Sequence, residues 1–231
     1  MKNPKGFTLT EVLISIFVGL VIILAIYGAV TMGQRSTVNV ERKVAAHQDA
    51  RAALELMSLE IGMASFNPSY ATGLWKTSGD CGTVSGNQGY RGIQSASAST
   101  ITVETDINEN GVIGGAGNAN EIITYTYDAA KQYINRSANC GGDTPFLGDD
   151  PASGRPRSVR VINTDAVPVF RYFNAQGTEI TTAQLPAAIP NIARIDIVLW
   201  VETEEVDPNS NQRRRMIYST SVIPRNHVIN Q

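Results

Sequence analysis

Residues 5–30 read KGFTLTEVLISIFVGLVIILAIYGAV, an apolar run with a single acid, Glu11, near its front edge. From Val12 to Gln34 no charged residue occurs. As a helix rising about 1.5 Å per residue, that stretch covers roughly 35 Å, enough to cross a hydrocarbon layer of about 30 Å. No second stretch of this kind follows in the 231 residues, so one membrane span is expected. A secretory signal would have a shorter apolar region and a small-residue cleavage site. YGAVTMGQ, residues 27–34, has no A-x-A pattern. A plain single-pass anchor fits the length but leaves Glu11 unexplained, because an acid in the apolar layer is costly and usually has a partner.

Beyond the span the helical pattern continues without proline to about Ala64. VERKVAAHQDARAALELMSLEIGMA, residues 40–64, sets Val40, Val44, Ala50, Leu54, Met57 and Ile61 at spacings of three, four or close to them. Arg42, Lys43, Asp49, Arg51 and Glu55 fall on other faces. One long helix is therefore expected, oily all round in its first half and amphipathic in its second. Pro68 in FNPSY stops it.

After residue 70 the composition turns to Ser, Thr, Asn and Gly with short β-type runs. STITVETD alternates, with Ile101 and Val103 against Thr100, Thr102 and Glu104. EIITYTYD, a DAAK turn and QYINRS follow; SVRVINTDAVPVFRYFN reads as two strands with an interruption. NIARIDIVLWVETE and RRRMIYSTSVIP form the last pair, which sets Glu204 and Glu205 opposite Arg213, Arg214 or Arg215. Residues 71–98 and 138–157 read as long loops. The fold class is α+β: a long N-terminal helix laid in its second half, residues 35–65, against an antiparallel β-sheet head, residues 66–231.

The charge balance, 19 basic against 21 acidic residues, gives no field that would recruit nucleic acid. Lys2 and Lys5 before the span, and Arg35, Arg42 and Lys43 after it, leave the orientation undecided by charge. The two cysteines, Cys81 and Cys140, lie in glycine-flanked segments without a CxxC or a neighbouring histidine. They are expected to form a disulfide in an oxidising compartment, which places the head outside the cytoplasm.

KGFTLTEVLISI resembles the front of a type IV prepilin: a short basic leader, Gly6, Phe7, an acid five places into the mature chain, then the apolar run. The resemblance implies a leader of residues 1–6 and a membrane half over residues 7–34. It also implies a prepilin peptidase that cuts between Gly6 and Phe7 and N-methylates Phe7. Glu11 would then pair with the new amine of a neighbouring subunit shifted by about one helical turn, setting assembly register. DARAALELMSLEIGMASF and the closing STSVIPRN are similar to the matching segments of PilW-type minor pilins. The expected role is a structural or assembly subunit that initiates a type IV pilus or sits near its tip. Its expected partners are other major and minor pilins, in the inner membrane with a periplasmic head before assembly and in the extracellular pilus after it. A J-type pseudopilin of type II secretion shares this layout, and a tip adhesin or DNA-binding module is the reading from another class.

TDINENGVIGGAGNANEIITY holds a second pattern. Asp106, Asn108, Asn110 and Gly111 fit the first half of a calcium loop, D-x-[DN]-x-[DN]-G, with the Val112 carbonyl and Glu121 as further oxygen ligands. The acid expected at the twelfth position is replaced by Gly117, so binding would be weak, and a polar Asn-Gly turn is the plain alternative. The glycines of GVIGGAGN do not complete a nucleotide fingerprint, and no GxxxxGK[ST], GxSxG or HExxH occurs. His47 and His227 lack a nearby nucleophile or metal partner in the sequence and read as surface or packing residues, so no enzyme is expected. Arg213–Arg215 reads as a solvated strand balanced by Glu202, Glu204 and Glu205 rather than a nucleic-acid site.

Overall fold

The computed structural model describes residues 6–115, 117–149, 157–207 and 210–228. Residues 1–5 of the expected leader, the 150–156 part of the second expected loop, and Pro208 and Asn209 in the last turn lie outside the described residues. Helix α1 runs from Leu9 to Gly62. The chain forms two compact units, Met1–Val44 and Ala45–Gln231.

In the first unit the helix is its own whole structure. Large apolar side chains on every side of it, from Val12 to Val30, are exposed. Its length and composition suit a membrane crossing.

Among the described residues, the second unit holds the end of α1 and twelve strands. A hairpin joins β1 (Lys76–Thr77) and β2 (Asp80–Val84). β3 (Ile93–Ala96), β4 (Thr100–Glu104), β5 (Ile122–Asp128), β6 (Tyr133–Ala138) and β7 (Asp143–Leu147) make an antiparallel meander in chain order. β8 (Val159–Val161), β9 (Phe170–Phe173), β10 (Glu179–Ile180), β11 (Arg194–Thr203) and β12 (Arg215–Val222) make a second antiparallel sheet. Here β11 is the spine. It pairs with β12 along one edge, and with β9 and then β8 along the other. A short helix, α2 (Arg225–Val228), follows. The architecture is α+β and pilin-like, a long N-terminal helix packed on antiparallel sheets.

One core joins these parts. Ala46, Ala50, Ala53, Met57 and Ile61 of α1 pack with Ile101, Val103, Ile123 and Tyr125 of the first sheet. Ile195, Ile197, Leu199 and Val201 of the second sheet belong to the same cluster. The buried stripe thus differs from the expected one at half its positions. Val40 and Val44 stay exposed and Leu54 is only half-buried, while Ala46 and Ala53 are buried. Alanine, with no side chain beyond Cβ, lets a helix lie close to a sheet; a hydropathy pattern undervalues it.

A bidentate pair also ties α1 to the meander. Arg136 donates from Nη2 to Glu60 Oε1 at 2.7 Å and from Nε to Oε2 at 3.1 Å. The Tyr125 hydroxyl adds a 2.5 Å bond to Oε2. Burial and the Glu60 charge push the Tyr125 phenol well above its ordinary range.

The two expected loops contain strands. β2 is exposed at four of its five residues, so it carries no alternation that a sequence reading could use. β7 includes Pro145 and sits at the sheet edge, where a missing N–H costs no ladder bond. The β1–β2 hairpin covers the polar face of β4. Lys76 N–H donates to Glu104 Oε2 at 2.9 Å, and Thr102 and Glu104 are buried on a strand whose polar face was expected to be wet. Burial raises the Glu104 carboxyl to about 8, with the Lys76 amide and charge opposing that shift.

Candidate functional site

The segment expected to be processed is open. Gly6, Phe7 and Thr8 precede the helix, and Phe7 is 89% exposed. No atom stands within 4 Å of where a Cβ on Gly6 would lie, so packing does not demand a glycine there. Thr8 and Glu11 form a reciprocal N-terminal cap. Glu11 Oε2 accepts the Thr8 N–H at 2.8 Å and the Thr8 hydroxyl at 2.8 Å, and Thr8 Oγ1 accepts the Glu11 N–H at 3.3 Å. This is a capping box, T-x-x-E, legible in the sequence but missed behind the apolar run. It provides the acid with a partner inside its own chain.

The Asp106 loop joins β4 to β5. The chain leaving α1 braces its start: Thr105 Oγ1 donates to the Met63 carbonyl at 2.5 Å, and Asp106 N–H to the Phe66 carbonyl at 2.9 Å. The base is closed by Thr105 N–H to the Glu121 carbonyl at 2.9 Å. Asn139 holds the exit, its Oδ1 accepting the Glu121 and Ile122 amides at 3.2 and 3.0 Å. Next to Asn139, Cys140 is bonded to Cys81, with 6.0 Å between their Cα atoms. Gly114 sits against this bridge at φ +72°, and a Cβ there would come within 2.8 Å of the Cys81 carbonyl oxygen, so the approach requires glycine.

Inside the loop the polar groups converge. Asp106 Oδ1 accepts the Asn110 amide at 3.1 Å and Oδ2 the Gly111 amide at 2.9 Å. Asn108 Oδ1 also accepts the Asn110 amide, and Asn110 Oδ1 accepts that of Val112 at 2.8 Å. The side-chain amides of Asn108 and Asn110 both donate to Asn118 Oδ1 at 2.8 Å. Asp106, Asn118 and Glu121 are buried, with Glu121 only 1% exposed. Burial raises the Glu121 carboxyl, the Asp106 charge adds to the rise, and the facing amides of Asn108, Gly114 and Ile107 oppose it. None of those amides closes to a hydrogen bond on either carboxylate oxygen. Sequence reading missed Asn118, which carries no spacing signal.

The remaining expectations fall differently. His47 packs on Tyr218, its Nδ1 2.6 Å from the hydroxyl. His227 is buried rather than superficial and does meet a hydroxyl: Nδ1 stands 3.0 Å from Ser65 Oγ, and Nε2–H donates to the Ile189 carbonyl at 2.9 Å. Ser65 and His227 lie 162 residues apart, so no local pattern links them. Burial holds the His227 imidazole below its ordinary pKa, and both ring nitrogens are engaged in joining the C-terminus to the helix exit.

The acid–arginine pairing is also shifted. Glu202, not Glu204 or Glu205, stands opposite Arg215, with Arg215 Nε 3.3 Å from its Oε2. Glu204 is held by Arg160 through two 2.7 Å bonds and by Arg157, and these guanidinium groups, Arg160 first, lower its pKa. β11 ends at Thr203 and β12 begins at Arg215, so Glu204 and Glu205 fall outside the β11–β12 ladder.

Comparison with curated proteins gave no match, and comparison with solved structures gave none. Residues 1–27 match the family model of the prokaryotic N-terminal methylation motif, which indicates a type IV pilin-like prepilin.

Proposed function

We propose that this chain is a minor type IV pilin of the PilW type, cut between Gly6 and Phe7 and N-methylated on Phe7. The carrying observation is the order Gly6, Phe7, Glu11 and then a helix exposed on every apolar side. A glycine that packing does not require, beside an exposed Phe7, supports recognition by a peptidase rather than a role in folding. The motif and the fold suggest a structural protein, with other pilins and the prepilin peptidase as partners in general.

The apolar helix holds the precursor in the inner membrane with the head in the periplasm, and the Cys81–Cys140 bridge suits an oxidising compartment. The mature subunit then enters a pilus, at its start or near its tip. Before assembly Glu11 is partnered by Thr8. After cleavage the amine of a neighbour one turn away replaces Thr8, and the stronger charge pair selects the correct stagger.

Mass spectrometry of the mature chain should find N-methyl-Phe7 as its first residue, and Gly6→Ala should abolish both cleavage and piliation. Intact processing and piliation in Gly6→Ala would remove the proposal. Deleting the gene and scoring twitching against exoprotein release separates a pilus subunit from a J-type pseudopilin. A tip adhesin or nucleic-acid module finds less support, because Glu202 stands within ion-pair distance of Arg213 and Arg215 in the basic cluster.

A further inference from the structure

We infer that the β4–β5 loop is a calcium site, with ligand oxygens from Asp106, Asn108, Asn110, the Val112 carbonyl and Glu121. This is independent of the assembly role proposed above.

The pointer is Glu121. Its side chain is 1% exposed, and among the described residues no donor closes a hydrogen bond on Oε1 or Oε2, although the amides of Asn108, Gly114 and Ile107 face it. Buried carboxylates are ordinarily paired with cations or fully hydrogen-bonded. The partner here cannot be a basic side chain of the loop, since residues 105–121 contain neither lysine, arginine nor histidine. Instead the carboxyl faces the Asp106 end of the loop, close enough for the Asp106 charge to act on it. Two buried acids close enough to feel each other's charge are relieved by a cation or a proton shared near them.

The donor set selects the cation. Asp106, Asn108 and Asn110 occupy alternate positions, so their oxygens can turn to one side, and Val112 follows at the place where a backbone carbonyl serves. Gly111 at φ +73° makes the sharp turn that brings them round. Asn108 Oδ1 and Asn110 Oδ1 each accept one backbone amide and keep a second lone pair that an ion can take. All five groups are oxygens, with no nitrogen or sulfur ligand, which suits a hard cation. Six to eight oxygens in a flexible glycine-containing loop fit Ca²⁺, whereas Mg²⁺ demands octahedral geometry and keeps its waters. With only two carboxylates the affinity belongs with extracellular modules, about 10⁻⁴–10⁻³ M. The ion would stiffen a loop that exposes Ile107 and Val112 and whose Gly114 closely approaches Cys81.

The experiment is calcium titration of the full chain in detergent, read by equilibrium dialysis and by thermal unfolding against EDTA and Mg²⁺. Wild type should bind one Ca²⁺ and gain roughly 3–6 °C at ten times the dissociation constant. Glu121→Gln should lose both effects, yet match or exceed wild type in EDTA, because it removes a buried acid. Asp80→Asn, an exposed acid in β2, should respond as wild type does. No calcium response from wild type up to about 10 mM would leave a protonated Glu121 as the explanation and overturn the site. An undiminished response in Glu121→Gln would overturn it as well. Should that variant fail to fold, Asn108→Ala carries the same two outcomes on an exposed residue.

Discussion

Helix α1 is one element with two surfaces. Up to Val30 it presents isoleucine, leucine, valine and phenylalanine on all sides and buries none of them, while from Ala46 it buries a stripe made largely of alanine. The more apolar half is therefore the half without a core of its own. Apolarity here marks surface left without a core of its own, and small size marks surface already matched to a sheet. The two halves should respond to mutation in opposite ways.

Met57→Ala tests this most strongly. It removes a fully buried side chain and should destabilise the head by about 2–5 kcal/mol in denaturant unfolding of the full chain. Leu20→Ala should change the same midpoint by less than about 0.5 kcal/mol, because Leu20 is 54% exposed. Equal losses from the two variants would break the contrast.

Glu60→Gln comes next. It keeps the shape but strips the charge that Arg136 and Tyr125 share, and should cost about 2 kcal/mol in the same assay. A loss near zero would mean that α1 is held to the first sheet by apolar packing alone.

His227 gives a pH signature. Its folded pKa lies below the ordinary 6.5, so its contribution to stability is complete above 6.5 and is lost as pH falls from there through the folded value. The slope attributable to it is at most about 1.4 kcal/mol per pH unit. The difference in unfolding free energy between wild type and His227→Gln should shrink with acidification below 6.5 and stay level above it.

Thr8→Ala is the smallest effect. Removing the capping hydroxyl should weaken the first turn of α1 by about 1 kcal/mol, seen as faster amide exchange at Glu11 in micelles, with the head midpoint unmoved. A shift of the head midpoint would show that the two units do not unfold independently.

Much of the architecture is visible in the order of residues. The apolar run, the proline-free continuation to Ala64, and the paired alternating segments from 194 to 222 each declare an element through a local period. The processing segment is equally local, since Gly6, Phe7, Thr8 and Glu11 lie within six positions. The candidate cation loop was half legible. Asp106, Asn108, Asn110 and Gly111 form a spaced pattern to which Glu121 could be added, whereas Asn118 and the burial of the Glu121 carboxyl come only from the structure.

The sequence by itself determined the long helix, the main paired strands, the apolar run and the acid near its start, because those depend on neighbours a few residues apart. The tertiary structure alone decided which faces are dry. A distant hairpin covers Glu104, a serine 162 residues away meets His227, and Arg157 and Arg160 take Glu204 from the arginines beside it in the chain. Burial and charge pairing are set by whichever segment arrives, and no period along the chain encodes that arrival.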